Sequence, residues 1–127
     1  MFEYTSYIDS LANFMAKNGY TIKPFPKIKF QEEEQGIFGH TANYDPETRT
    51  VNLWIAGRHP KDVLRSLAHE LIHHKQNLEG RLNEGAYTGD KITEDNKLIK
   101  LEEEAYLNGN ISFRKWTETM QKEGKDK

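Results

Sequence analysis

Hydrophobic positions recur along this chain with two different periods, and the places where the period changes divide it into elements. From about Glu3 to Lys17, the residues Tyr7, Ile8, Leu11, Phe14 and Met15 repeat at three- and four-residue spacing, which predicts an amphipathic helix closed by Asn18-Gly19. Pro24 and Pro26 break the chain, and Ile28 and Phe30 then alternate with Lys27, Lys29 and Gln31 as a short strand. A turn over Glu32 to Gly36 leads to a second strand, Ile37 to Tyr44. Asp45-Pro46-Glu47-Thr48 turns into a third, Arg49 to Ile55, in which Val51, Leu53 and Ile55 point one way. The expectation is a three-stranded antiparallel sheet. Helical spacing returns at Pro60, with Leu64, Leu67, Leu71 and Leu78 on one stripe and Val63 and Ala68 on its flanks. Another helix reads from Thr93, as N-cap, to a stop at Asn108-Gly109. A short last helix, Ser112 to about Lys122, buries Phe113, Trp116 and Met120, and Gly124 to Lys127 is expected to be disordered. The pattern is that of an α+β fold in a single domain, residues 1–127, without internal repeat or linker.

The side of the Pro60 helix opposite its leucines carries Asp62, Ser66, His69, His73 and Gln76. His69-Glu70-Leu71-Ile72-His73 is an HExxH motif: residues at i and i+4 share a helix face, so both imidazoles can meet at one metal ion, with Glu70 beside them. One histidine on such a face is explained by a solvated polar stripe, but a pair with an intervening carboxylate asks for a third ligand. The extended motif HExxHxxGxxH would need Gly at 76 and His at 79, where the chain has Gln76 and Glu79. In the helix from Thr93, the apolar arc is Leu98, Ile99, Leu101, Ala105 and Tyr106, with Glu102 in its middle and Glu103 and Glu104 pointing outward. A carboxylate there is costly unless neutralised, paired or bound to metal. Zinc would explain Glu102; an ion pair with Arg or Lys, or a helix tilted to keep it wet, are the alternatives. Residues 79 to 92, with Gly80, Gly85 and Gly89, form a polar loop that reads equally as a flap over a cleft or as a connector.

His69-Glu70-x-x-His73 followed by Glu102-x-x-Ala105 resembles the gluzincin metallopeptidases, in which two helices supply His, His and Glu and a small residue three after the Glu lets them approach. Tyr44 to Leu53 and Glu102-Glu103-Glu104-Ala105 are similar to the ImmA/IrrE-like and minimal gluzincin proteins. Gly57 to Leu64 and Ala105 to Asn110 also resemble small uncharacterised proteins of tailed phages of marine bacteria. The resemblance covers roughly residues 36 to 116 and implies a zincin-like fold with an active-site helix and a glutamate helix, one zinc ion on His69, His73 and Glu102, and Glu70 as general base. It departs at Tyr106, where larger gluzincins often carry an Asp that braces a histidine ligand. A tyrosine there is expected to pack between the helices; its hydroxyl could instead reach a ligand or an oxyanion.

Composition narrows the partners. With 18 basic against 20 acidic residues, no footprint for nucleic acid is expected, and no apolar run is long enough to span a membrane. The first helix contains Asp9 and lacks a basic start and a small-residue cleavage site, so it is not a signal peptide; the expected location is the cytoplasm, that of the host if the chain is phage-encoded. There is no cysteine, which excludes disulfides and the cysteine ribbon of many SprT-type metalloproteases; any zinc is held by nitrogen and oxygen. The chemistry expected is metal-assisted hydrolysis of a polypeptide, with Glu70 accepting a proton from the attacking water. The resemblance further implies an extended substrate paired with a sheet edge, here Ile37 to Tyr44. His40, Tyr87 and Tyr106 are candidates to steady the oxyanion, and His59 and His74 read as structural. Two other functions remain: a zinc-stabilised protein-binding module without catalysis, against which the presence of Glu70 argues, and a regulatory protease specific for one host or phage protein.

Overall fold

A computed structural model describes residues 3–32, 41–81 and 92–122, with side chains described from residue 99 onward in the last stretch. The predicted strand segment 37–40 with His40, most of the polar loop with Tyr87, the Leu98 side chain and the tail 123–127 lie outside the described residues. Helix α1 (Tyr4–Lys17), strands β1 (Lys27–Gln31), β2 (Ala42–Asp45) and β3 (Thr50–Trp54), and helices α2 (Pro60–Leu78) and α3 (Ile92–Lys122) follow in that order, an α+β fold. Glu3 caps α1, its carboxylate accepting the Thr5 N–H at 2.6 Å, and the helix buries Ile8, Leu11, Ala12 and Met15.

The sheet is mixed, not antiparallel as expected, and its order is β1-β3-β2. The β2–β3 hairpin is the antiparallel part, closed by a turn in which the Asp45 carboxylate accepts the Glu47 N–H at 3.0 Å and Arg49 adopts φ 53°. β1 runs parallel to β3 on its other side, Ile28 opposite Val51 and Phe30 opposite Leu53. Period-two alternation is the same for both directions, so it could not choose between them. Burial explains the order: Val51 and Leu53 are fully buried and take the centre, whereas Phe30 stays 38% exposed at an edge. Across the polar face the Gln31 amide donates to Asn52 at 3.1 Å and Asn52 donates to Asn43 at 2.9 Å, a ladder through all three strands that holds their register.

Helix α2 contacts α1, β2, β3 and α3, and its Val63, Leu64, Leu67, Leu71 and Ile72 form the centre of the core. Helix α3 is longer than the sequence predicts. Asn108-Gly109 does not end a helix; one helix of 31 residues runs through it to Lys122. Gly109 lies against α2, where a Cβ would stand 3.0 Å from His69 Cα and 3.1 Å from His69 N. The glycine is there for close approach, and with the buried Ala105 one turn earlier it lets the helices touch nearly backbone to backbone. The face that α3 buries, Leu101, Ala105, Phe113, Trp116 and Met120, is rotated from the predicted arc, so Ile99 and Tyr106 are 55% and 61% exposed and Glu102 sits at the margin of the buried face, not its middle. Trp116 fastens α3 to α1 by donating its indole N–H to Ser10 Oγ at 2.9 Å. No helix among the described residues is long and apolar enough to cross a membrane.

Candidate metal centre

The start of α2 is set by its sequence. His59 is the N-cap, its Nδ1 accepting the Lys61 N–H at 3.1 Å, and Pro60 supplies the helical φ at a position that needs no donor. With the leucine stripe turned into the core, His69 and His73 emerge one turn apart on the side facing α3, their ring centroids 4.9 Å apart. The stop is equally local: Gly80 takes φ 76° and the Arg81 N–H returns to the Gln76 carbonyl at 2.8 Å. His74 points elsewhere and is fully satisfied: its Nε2–H donates to the Pro24 carbonyl at 2.7 Å, and Nδ1 accepts from the Tyr44 hydroxyl at 2.7 Å. Burial, with the positive charge of Arg49, holds the His74 pKa below the ordinary histidine value, against the Pro24 bond, which favours the protonated ring.

Glu102 reaches across from α3 to both other candidate ligands. Its Oε1 lies 3.2 Å from His69 Nε2 and its Oε2 lies 3.3 Å from His73 Nε2, and ligand atoms of the three residues all fall within 4.8 Å of one another. A tetrahedral zinc with bonds of about 2.0–2.1 Å spaces its ligand atoms roughly 3.3 Å apart, which the two carboxylate–imidazole distances match. The protons make the same point. The Nδ1 of His73 faces the Gln76 side-chain oxygen at 2.9 Å and must donate to it, which leaves a neutral His73 with a lone pair aimed at a carboxylate oxygen. Two acceptors at 3.3 Å repel unless a proton or a cation lies between them. Without metal the proton serves: hydrogen bonds from His69 and His73 hold the Glu102 carboxyl far below its usual range, against the opposing effect of burial. Burial disfavours the charged form of His73, but its bond to Glu102 and the nearby Glu70 outweigh it and raise its pKa.

Glu70 is the carboxylate of the motif. It is 7% exposed, burial pushes its carboxyl above the usual range, and the positive field of His73 and His69 acts against that shift. Its carboxylate accepts no hydrogen bond from the described residues. It borders a cleft of about 500 Å³ whose floor is His69, His73 and Glu102, with residues 41–43 along one wall and Tyr106 and Asn110 on the other. Thr41 is held on that wall by Arg58, whose guanidinium donates to the Thr41 and Trp54 carbonyls at 3.0 and 2.8 Å and to Ser66 Oγ at 2.8 Å.

The motif residues and Glu102 thus come together where the sequence expected them, but several neighbours do not. Tyr106 is not buried between the helices; it is exposed, with its ring centroid 4.3 Å from that of His69. Glu104 does not point outward; it accepts from Gln76 at 2.9 Å and from Arg81 through two bonds of 2.9 Å. Gln76, part of the predicted polar stripe and the residue that departs from HExxHxxGxxH, is fully buried between the helices; its place three residues after His73 puts it one turn along the same face. No protein-family profile, curated protein or solved structure matches the chain.

Proposed function

We propose that this chain is a zinc-dependent peptidase, with the metal held by His69, His73 and Glu102 and Glu70 acting as general base. The observation that carries the reading is the meeting of two imidazole Nε2 atoms with one carboxylate at zinc-ligand spacing, beside a buried carboxylate that has no other partner among the described residues. Zinc, when bound, would supply Lewis acidity, polarising a substrate carbonyl and making water a nucleophile near neutral pH. Glu70 takes a proton from the attacking water as its oxygen bonds to the carbonyl carbon, then delivers that proton to the amide nitrogen as the C–N bond breaks; the second water proton remains with the products, which leave as a carboxylate and an ammonium group. A carboxyl group whose pKa is raised by burial suits both transfers.

The cleft wall supports a peptide as substrate. β2 is an edge of the described sheet, and Ala42 and Asn43 on it line the cleft, so an extended peptide could add as a further strand and lie over the metal. A cytoplasmic site of action is part of the same proposal. The test is Glu70→Gln. Elemental analysis should find close to one zinc in both wild type and variant, and none in His73→Ala. Peptide cleavage by the variant should fall at least about a hundredfold. A wild-type protein that binds zinc but cleaves nothing in a diverse peptide library, chelator-sensitive or otherwise, would leave a zinc-stabilised binding module; a protein that binds no zinc would end both readings.

A further inference from the structure

We propose that Gln76 is the positioning residue of the metal centre: it holds His73 in the tautomer and orientation a metal needs and bolts that ligand to the helix that carries Glu102. The inference rests on the zinc reading above. A histidine that binds metal through Nε2 must give its Nδ1–H to an acceptor, or the ring is free to flip tautomer and swing. Here that acceptor is the Gln76 oxygen, at 2.9 Å. An amide is a good brace only if its two ends cannot exchange. Gln76 Nε2 donates to the Leu101 carbonyl at 3.0 Å and to Glu104 Oε1 at 2.9 Å, both of which can only accept, so the oxygen end is forced toward His73.

Both of those acceptors belong to α3, one immediately before Glu102 and one two residues after it. A single buried amide therefore ties the His73 ring to the backbone that positions the third ligand. Glu104 is fixed in turn by the two parallel bonds from Arg81, and Arg81 is brought there by the Gly80 stop of α2. The relay runs Arg81 to Glu104 to Gln76 to His73, each step donating to or accepting from the next. His69 has no such device: its Nδ1 is buried without a hydrogen-bond partner among the described residues, and its ring is packed against Tyr106 instead. The two imidazoles are thus held by unlike means, and the brace acts on one of them.

The experiment measures zinc dissociation constants by chelator competition, with folding followed by circular dichroism. Gln76→Leu, which fills the space but cannot accept from His73, should bind zinc about 10- to 100-fold more weakly while staying folded. Gln76→Glu alone keeps the acceptor but faces Glu104 with a like charge, and should lose at least about tenfold. The exchange Gln76→Glu with Glu104→Gln restores donor and acceptor in reversed order, and should recover most of what Gln76→Glu loses. Residue 76 acting only as helix packing predicts the opposite, losses that add. Gln76→Leu binding within about twofold of wild type would overturn the brace while leaving the metal reading intact, as would an exchange variant no tighter than Gln76→Glu. Should Gln76→Leu fail to fold, the exchange comparison decides alone. Failure of the zinc reading itself shows in the wild-type protein, which would then bind no zinc.

Discussion

Gly109→Ala tests the close approach of the two helices without changing any candidate ligand side chain, because it adds one methyl group against the main chain of α2. In an isolated helix the change should stabilise by about 1 kcal/mol, since glycine is the poorest helix former after proline. In this fold the new Cβ would meet His69 Cα at 3.0 Å, His69 N at 3.1 Å and Ala68 C at 3.3 Å, all main-chain atoms that cannot rotate away. Ordinary contact begins near 3.4 Å, so α3 must retreat from α2 by about 0.4 Å at that point. Overpacking of this kind costs about 1–3 kcal/mol, enough to cancel the propensity gain and leave the protein less stable by about 1 kcal/mol. Glu102 lies two turns back along the same helix, so part of the retreat reaches it, and zinc ligand distances tolerate only about 0.2 Å. Urea unfolding of the chelated protein should give the first loss, and chelator competition a zinc affinity weakened by about tenfold. A variant more stable than wild type, with zinc affinity unchanged, would refute the contact on which both steps depend.

Removing zinc should leave the protein folded but less stable and lower-melting, the lost stability growing with the free zinc withdrawn and reaching about 4 kcal/mol for a thousandfold excess over the dissociation constant; equal melting with and without chelator would show that the ion does not clamp α2 to α3. Hydrogen exchange should rise chiefly in the part of α3 that carries Glu102, and Glu102→Ala should reproduce this. His74 is neutral in the folded protein with a lowered pKa, so the unfolded chain binds the extra proton; its stabilising contribution is complete above about pH 6.5 and is lost as pH falls from there through the folded value. His74→Phe, measured in chelator, should therefore be less stable at pH 7 but fall less steeply as pH drops below about 6.5, and an unchanged slope would assign that limb elsewhere. Arg58→Ala, which frees the Thr41 carbonyl and Ser66, should cost about 2 kcal/mol and raise KM for peptides with zinc affinity unaltered; a loss of zinc instead would place its effect on the metal.

What was legible in the sequence was local. The spacing of His69 and His73 fixes their common face once the leucine stripe has set the phase of α2, and both follow from one helix period. Glu102 was found because a carboxylate among apolar neighbours wants a reason, even though the face it belongs to turned out to be rotated and the residue lies at its margin. What could not be read depends on a second element. The alternation in β1 is compatible with either direction, and only the burial of Val51 and Leu53 in the assembled sheet puts β3 between its neighbours. The glycines make the case most directly. Gly80 and Gly109 each follow a helical run, and each is a plausible stop. Gly80 takes φ 76° with open space around its missing Cβ and does end α2. Gly109 stays helical because α2 passes so close that only a hydrogen fits there, and the packing gained along Leu101, Ala105, Phe113 and Trp116 outweighs the glycine's preference to unwind. The same nearness brings Glu102 within reach of two histidines. The feature that misled the prediction of a helix end is thus the one that lets the predicted ligands meet.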